Sequence, residues 1–274
     1  MSRPPLVVSG AAGRMGRQLL SLAFGEGYPV LGAVEAPGHP LLGTDAGELV
    51  GAGRRGVPIG DDYTALPVEK GVTLEFTNPQ VTLEHLRVAA ARQAPIVVGT
   101  TGFDDLERQE LEALASRTRS VVAPNMSVGV NVLLGLVELA ARSLGHDFDI
   151  EVLELHHRMK EDAPSGTALA LGRVAASARG RALEEIGVYG RQGRVGRRKD
   201  SEIGVLALRG GDAVGDHTVY FLGPGERLEL THRAQSRECL ARGALRAASW
   251  LWEQRRAGLF TMRDVLGLGS GLSK

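Results

Sequence analysis

A short stretch past the middle of the chain carries an unusual density of ionisable side chains. Six of them, His156, His157, Arg158, Lys160, Glu161 and Asp162, fall within seven residues. Cations beside the start of a helix suit a small anion, because the first backbone N–H groups of a helix have no partner inside it. The stretch therefore predicts a binding or catalytic site for a small acidic substrate.

This stretch is predicted to connect a strand to a helix. Residues 148–153 alternate in polarity as a half-buried strand does, and residues 168–175 follow a helical pattern. Ser165 is the expected N-cap of that helix. The backbone N–H groups of Gly166 and Thr167, with the Thr167 hydroxyl, are then expected to bind a carboxylate or a phosphate.

Lysine is rare in this chain, and one of its few lysines lies in the cluster. Of 32 basic residues only Lys70, Lys160, Lys199 and Lys274 are lysine. Arginine keeps its proton near neutral pH, whereas lysine can release one when its surroundings lower its pKa. Lys160 is therefore predicted to be a proton donor or a substrate ligand rather than a solvated loop residue.

The two adjacent histidines are not expected to share a metal ion. Neighbouring strand residues point to opposite faces, and no Cys or carboxylate follows with a spacing typical of zinc sites. One of His156 and His157 is predicted to face the site, while the other supports it or touches substrate from the loop.

Composition narrows the class of protein. The 274 residues have no net charge, 43% are hydrophobic and 23% are charged, which is ordinary for a globular protein and argues against nucleic acid as a partner. The single Cys239 excludes an internal disulfide. The N-terminus does not resemble a signal peptide, and no apolar run reaches the roughly 20 residues of a membrane span. We expect a cytoplasmic protein of one or two domains with no membrane partner.

The N-terminal region has the pattern of a dinucleotide-binding turn. A strand at residues 6–8 runs into a GxxGxxG turn and a helix from Arg17 to about Gly25, and the next strand ends in Glu35. A carboxylate about 20 residues past the glycines is where adenosine ribose hydroxyls bind. An ordinary turn with a solvated glutamate is the alternative. Ala36 after the carboxylate favours NAD, although Arg14 and His39 leave NADP open.

Strands and helices alternate as far as residue 127, which predicts an α/β fold with a doubly wound, Rossmann-type parallel sheet. Ligands of such sheets bind beyond the carboxyl ends of the strands. The turns at residues 99–101 and 123–126 follow two of the later strands and are expected to line the nicotinamide half of a cofactor, with plain turn chemistry as the alternative.

The second half of the chain predicts a separate α+β domain. Strands at residues 203–232 form an antiparallel or mixed sheet, and a long helix runs from Cys239 to Gln254. The basic loop at residues 191–199 is interpreted as solvated, with contact to an anionic ligand as the alternative. The predicted domains are 1–127 for the dinucleotide and 128–239 for substrate binding and oligomerisation, with the segment from about 240 to 274 packing back on the first domain.

Several motifs together resemble those of the 4-hydroxy-tetrahydrodipicolinate reductase family, in the family's order and over nearly the whole chain. These motifs are GAAGRMGR, EFTNP, VGTTG, PNMSVGVN, ELHHRMKEDAPSGTA, RGGDAVGDHTV and ELTHRAQSRECLARGALRAA. The resemblance implies hydride transfer from NADH or NADPH to a cyclic dicarboxylic substrate in a homotetramer built through the second sheet. Some members carry arginine where this chain has Ala36, so a strong NADP preference is not expected.

The resemblance also implies roles for individual residues. His156 is the acid/base residue and Lys160 the proton donor, while His157, Gly166 and Thr167 hold the substrate carboxylate. The implied cofactor ligands are Gly10, Ala11, Ala12, Gly13, Arg14, Met15, Glu35, Gly99, Thr100, Thr101, Ala123, Pro124, Asn125 and Met126.

Two other classes of protein share parts of this pattern. One is another two-domain nicotinamide-dependent dehydrogenase that acts on a small acidic substrate, such as a semialdehyde or sugar dehydrogenase. The semialdehyde class that forms an acyl-enzyme needs a catalytic cysteine in mid-chain, and the only cysteine here is Cys239, at the start of a late helix. A non-catalytic module that senses NAD has no need of the ionisable cluster at residues 156–162.

Overall fold

The structure of the protein is a computed structural model that describes residues 3–268. Within that range the chain forms two compact units. Unit 1 comprises residues 3–128 and 238–268, and unit 2 comprises residues 129–237. The last part of the predicted C-terminal segment, residues 269–274, lies outside the described residues.

The strands are numbered in chain order. They are β1 Leu6–Ser9, β2 Val30–Val34, β3 Ile59–Gly60, β4 Val72–Glu75, β5 Ile96–Val98, β6 Arg119–Val122, β7 Asp149–His156, β8 Gly187–Val188, β9 Ile203–Arg209, β10 Gly215–Gly223, β11 Glu226–Ala234 and β12 Gly258–Phe260.

The α-helices are numbered in the same way. They are α1 Arg14–Gly25, α2 Ala46–Leu49, α3 Pro79–Arg92, α4 Asp105–Ala115, α5 Val128–Ser143, α6 Gly166–Ala178, α7 Leu183–Ile186, α8 Glu238–Glu253 and α9 Met262–Val265. Among the described residues, short 3-10 turns lie at Tyr63–Ala65, Val68–Lys70 and Gly145–Asp147.

Unit 1 is built on a seven-stranded sheet with the order β12-β6-β5-β4-β1-β2-β3, and every recorded pairing in it is parallel. Its strands are short apolar runs because both faces are covered. Leu6 and Val8 pack with residues of α1 and α8, whereas Val7 packs with residues of α3 and α4 on the opposite face. This arrangement confirms the predicted doubly wound sheet.

Unit 2 is built on a five-stranded mixed sheet with the order β11-β10-β7-β9-β8. β7 is parallel to β9, and β10 runs antiparallel to β7 and β11. Alternate residues of β7 are buried, starting with Ile150 and Val152, and pack with α5 and α6. We call this the inner face of the sheet. The predicted α+β unit with a mixed sheet is thereby confirmed.

Local signals account for most helix starts. Asn78 caps α3 by accepting a hydrogen bond from Val81 N–H, with Pro79 at the first helical position, as predicted. Asp104 and Glu107 form a capping box at α4. Ser165 caps α6 as expected, because its Oγ accepts from Ala168 N–H at 3.2 Å.

Two predicted boundaries are wrong. α1 begins at Arg14 rather than Arg17, because Gly13 already has the extended backbone of an N-cap. β7 extends to His156 rather than residue 153, because pairing with β9 places His156 opposite Arg209. Long-range pairing therefore overrides the end of the alternating sequence pattern.

Candidate functional site

The glycine turn of unit 1 requires glycine at two of its positions. Gly10 has φ 72°, in the left-handed region, and a Cβ there would lie 3.0 Å from the Phe76 carbonyl oxygen. At Gly16, which faces the same turn, a Cβ would come within 2.1 Å of Gly10 O. Glycine at these two positions therefore lets the turn pack closely against the segment after β4 and against the first turn of α1, which is the close helix–strand approach of a dinucleotide-binding turn.

Glu35 joins the end of β2 to the glycine turn. Its Oε2 accepts from Ala12 N–H at 2.9 Å, and its Oε1 accepts from Ala36 N–H at 3.0 Å. The predicted carboxylate is thus brought beside the predicted turn, where sequence spacing alone could not place it.

A cavity of about 190 Å³ opens beside this carboxylate. The residues that line it are Ser9, Gly10, Val34, Glu35, Ala36, Pro37, Asp61, Thr77, Asn78, Val81, Glu84 and His85. Of the predicted cofactor ligands, only Gly10 and Glu35 line this cavity. Asp61, which follows β3, and residues of α3 line another part of it, and the sequence did not predict them.

A buried polar network lies behind the cavity. Glu75, at the end of β4, is fully buried, and its Oε2 lies 2.6 Å from Nδ1 of His85 on α3. The Thr77 hydroxyl donates to Oε1 of Glu75, and the Thr82 hydroxyl lies 3.4 Å from the same atom. The imidazole of His85 also stacks on Tyr63, with ring centroids 4.0 Å apart.

The turns at residues 99–101 and 123–126 direct several of their side chains into the protein rather than toward a ligand. A Cβ at Gly99 would lie 2.0 Å from the Phe76 ring, and the buried Thr100 accepts from the Thr82 hydroxyl at 2.8 Å. Ala123 and Met126 are buried with their side chains in the core. Cofactor contacts at these turns remain predictions, and those of Ala123 and Met126 would have to use backbone atoms.

In unit 2, Glu154 is the centre of the ionisable cluster. Its side chain is fully buried on the inner face of the sheet. Arg209 donates to both carboxylate oxygens, at 2.8 and 2.9 Å, and Ser165 N–H donates to Oε1 at 2.9 Å. His156 Nδ1 lies 2.5 Å from Oε2.

A second histidine, His217 on β10, lies edge-on to His156 with ring centroids 5.2 Å apart. Its Nε2 lies 3.0 Å from Ser165 Oγ. Burial is the main cause, and the neighbouring His156 a lesser one, that lower the pKa of His217 to about 4. His217 is therefore neutral near neutral pH.

The loop after β7 carries the predicted lysine. Lys160 Nζ donates to both oxygens of Asp162, at 2.7 and 2.9 Å. This hydrogen bond lowers the pKa of the Asp162 carboxyl group, against a smaller opposite effect of burial. Arg209 also donates to the Asp162 carbonyl oxygen at 2.6 Å, so the loop is held beside Glu154.

The predicted anion site at the start of α6 is open. Gly166 is exposed, and no atom lies within 4 Å of a Cβ built there. His157 is half-buried and its N–H donates to Ala213 O at 2.8 Å, which ties the residue after β7 to the loop before β10. The structure thus brings His156, Lys160 and the start of α6 into one unit, whereas their chemical roles remain predictions.

The basic loop at residues 191–199 is tied to the other face of the same sheet. Arg191 donates to both oxygens of Glu151 at 2.9 Å, and Arg198 bonds to Asp149 at 2.6 Å and to Glu151 at 3.1 Å. The interpretation as a fully solvated loop is wrong for these two arginines, because strand carboxylates neutralise them.

Sequence analysis did not single out Glu154, Arg209 or His217. The period-2 alternation of β7 already places residues 154 and 156 on one face, so Glu154 was accessible from the sequence. Arg209 and His217 needed the register of β9 and β10, which no local pattern provides.

Comparison with known proteins places the chain in a family. The profile described as "Dihydrodipicolinate reductase, N-terminus" matches residues 5–126, and the profile described as "Dihydrodipicolinate reductase, C-terminus" matches residues 129–266. The chain belongs to the dihydrodipicolinate reductase family. The family predicted from the motifs is therefore confirmed.

Curated relatives are similar over almost their full length. The 4-hydroxy-tetrahydrodipicolinate reductase of Magnetococcus marinus is 51% identical over 261 residues, covering 95% of this chain and 97% of that protein. The reductase of the same name from Geobacter sulfurreducens is 48% identical over 263 residues, covering 96% and 98%. These relatives are reductases, as the sequence predicted for this chain.

Among solved structures, a dipicolinate-bound dihydrodipicolinate reductase from Paenisporosarcina sp. TG-14 is similar in fold. The TM-score is 0.71 at 21% identity, and the match covers 95% of this chain and 98% of that one. Within residues 3–268, no helix combines the length and apolar character needed to cross a membrane.

Proposed function

We propose that the protein reduces 4-hydroxy-tetrahydrodipicolinate to tetrahydrodipicolinate, with loss of water, using a nicotinamide cofactor. The observation that carries this proposal is the cluster of unit 2, where a buried Glu154–His156 pair adjoins a lysine loop and an open helix start. The decisive test is NADH oxidation by the purified chain when the unstable substrate is generated in a coupled assay. No oxidation above the rate without enzyme would contradict the proposal.

In this proposal unit 2 holds the substrate and unit 1 holds the cofactor. The N–H groups at Gly166 and Thr167, with the Thr167 hydroxyl and His157, bind a carboxylate of the substrate. Thr167→Ala is then expected mainly to raise the Michaelis constant for the substrate, because it removes an anion ligand rather than a proton source.

Proton supply is the chemical task of the cluster. The nicotinamide, when bound, supplies a hydride, and the electron-rich product of that transfer must gain a proton. Lys160 is the proposed donor, and His156 acts beside it as acid/base. Lys160→Arg keeps the charge but releases no proton readily, so turnover should fall. Normal turnover by this variant would assign the proton to His156 or water, leaving Lys160 as an anion ligand.

We further infer that NADH binds at least as well as NADPH. Three carboxylates, those of Glu35, Asp61 and Glu84, line the cavity beside β2, and Ala36 provides no cation there. A 2′-phosphate at this place would meet like charge. Titration of both cofactors tests this inference, and more than about tenfold tighter NADPH, or about 1.4 kcal/mol, would contradict it. Ala36→Arg should shift the preference toward NADPH.

Assembly into a homotetramer through the unit 2 sheet is also proposed. The face opposite the inner face carries Leu153, Leu155, Leu206, Leu208 and Leu222, and Leu208 is 50% exposed. Uncovered leucines on a sheet are typical of an interface between subunits. Sedimentation at micromolar concentration should show a tetramer that Leu208→Lys weakens.

A matched control for this interface is Leu106→Lys, which changes a leucine that is 76% exposed on α4. It should leave the tetramer intact. A wild-type protein that sediments only as a monomer would contradict the assembly.

As a biosynthetic reductase, the protein is expected to act in the cytoplasm.

A further inference from the structure

Glu154 connects three parts of the unit 2 cluster through its two oxygens. Oε1 accepts from Ser165 N–H, at the start of α6, and from Arg209 Nη2. Oε2 accepts from Arg209 Nη1 and contacts His156 Nδ1. Because Arg209 also donates to the Asp162 carbonyl oxygen, one carboxylate joins the histidine, the helix start and the lysine loop.

The charge of Glu154 determines which nitrogen of His156 carries hydrogen. Burial alone would raise the pKa of Glu154, but hydrogen bonds from Arg209, His156 and Ser165 N–H outweigh it and hold the pKa below its ordinary value. An ionised carboxylate can only accept hydrogen bonds. His156 Nδ1 must therefore donate, and Nε2 of the neutral ring is left without hydrogen.

The surroundings of His156 leave space beside that second nitrogen. Within residues 3–268 no hydrogen bond to His156 Nε2 is formed. A Cβ at Gly215 would lie 2.9 Å from this nitrogen, so glycine keeps the space beside it free. The charged or titratable groups that act on the Glu154, His156 and His217 cluster are Arg209 on β9, His232 on β11 and Lys160 in the loop.

We propose that Glu154 is the positioning residue that holds His156 in the Nδ1–H tautomer and presents a bare Nε2 for proton transfer at the substrate. The catalytic part of this proposal rests on the proposed reductase function. No other residue can take this place, because Glu154 supplies the single recorded hydrogen bond of the His156 ring within the described residues.

The variant Glu154→Gln should reverse the tautomer of His156, because the other groups that hydrogen-bond to residue 154 can only donate. Arg209 and Ser165 N–H can only donate, and Oε1 meets two such donors. The amide NH₂ of glutamine therefore settles at the Oε2 position, where His156 is the one group that can switch to accepting. Nδ1 then becomes the acceptor, and Nε2 gains the hydrogen that it must lack.

The tautomer can be measured directly with protein labelled with nitrogen-15 in histidine. The His156 signals are assigned by their loss in His156→Gln, and spectra are recorded at a pH where the ring is neutral. The wild type should show a hydrogen on Nδ1 and a bare Nε2, and folded Glu154→Gln should show the reverse. A wild-type ring with its hydrogen on Nε2 would overturn the proposal, whether or not the variant folds.

Kinetics separate positioning from mere stabilisation. Glu154→Gln should lower kcat about 100- to 10,000-fold, the range for loss of an acid/base group or its tautomer, with unchanged NADH affinity. The matched control is Glu151→Gln, on the same strand but the opposite face, which also removes a carboxylate from bidentate contact with an arginine. It should retain wild-type kcat.

Equal losses of kcat in the two variants would overturn the proposal, because a general weakening of β7 would then explain both. A failure of the proposed function can be distinguished from a failure of this proposal. If the wild-type protein shows no reductase activity, the proposed function is contradicted, but the tautomer can still be measured. Glu154 would then still orient His156, without a part in this reaction.

Discussion

Each unit of the protein contains a buried glutamate paired with a histidine. Glu75 and His85 in unit 1 are 2.6 Å apart, and Glu154 and His156 in unit 2 are 2.5 Å apart, with both carboxyl groups fully buried. The pairs differ in what surrounds the carboxyl group. Glu75 meets threonine hydroxyls, whereas Glu154 meets an arginine and a backbone N–H.

This difference decides how each pair responds to change. A hydroxyl can rotate to donate or accept, so the network around Glu75 can adapt when its partner changes. Guanidinium and backbone N–H groups only donate, so around Glu154 the histidine alone can respond. The pair in unit 1 is therefore suited to shaping a pocket wall, and the pair in unit 2 to controlling a proton.

The largest expected effect comes from removing the histidine of unit 2. His156→Asn should lower kcat about 100- to 10,000-fold, because general acid/base groups contribute that much to rate. NADH affinity should stay near wild type in a fluorescence titration. If His156→Asn kept most of its turnover and His85→Asn lost it, the assignment of proton chemistry to unit 2 would be reversed.

The buried His217 of unit 2 predicts a pH dependence of the protein's stability. Its pKa is lowered to about 4 from 6.5, so the folded protein disfavours a proton that the unfolded chain accepts. Stability from this group is present above about pH 6.5 and is lost as the pH falls toward about 4, by about 3 kcal/mol in total.

Urea unfolding near pH 7.5 and near pH 4 measures this effect. The loss of unfolding free energy between the two should be smaller in His217→Gln than in the wild type by that amount. Equal losses in the two proteins would mean that His217 does not remain neutral in the folded state.

The smallest expected effect concerns the histidine of unit 1. His85→Asn removes the ring that stacks on Tyr63 and lines the cavity beside Glu35. Loss of one such contact typically amounts to about 1 kcal/mol, so the NADH dissociation constant should rise roughly five- to tenfold with kcat preserved. His146→Asn, in a 3-10 turn of unit 2, is the control. Unchanged NADH affinity in His85→Asn would remove this pair from the cofactor site.

The elements of the fold were predictable from sequence because their signals are local. Apolar runs, the Asn78–Pro79 helix start and the Ser165 cap each act within a few residues, and the structure contains all of them. Boundaries were less predictable, as β7 shows, because its last residues are held by pairing with β9 and β10.

The histidine and lysine of the candidate site were predictable from type and spacing, but their partners were not. Arg209 lies 55 residues from Glu154, and only the parallel register of β9 on β7 brings them together. His85 lies ten residues from Glu75 but on another element. Buried polar pairs of this kind depend on tertiary packing, which sequence periodicity does not encode.

The difference in role between the Glu154–His156 pair and the Glu75–His85 pair is tested most directly by two variants, Glu154→Gln and Glu75→Gln. The quantity to measure is the rate of a single turnover with saturating NADH and substrate. The account predicts a loss of about 100-fold or more for Glu154→Gln, as for a lost tautomer, and no more than a fewfold loss for Glu75→Gln. Similar losses in both variants, or a larger loss for Glu75→Gln, would contradict the division of roles between the two pairs.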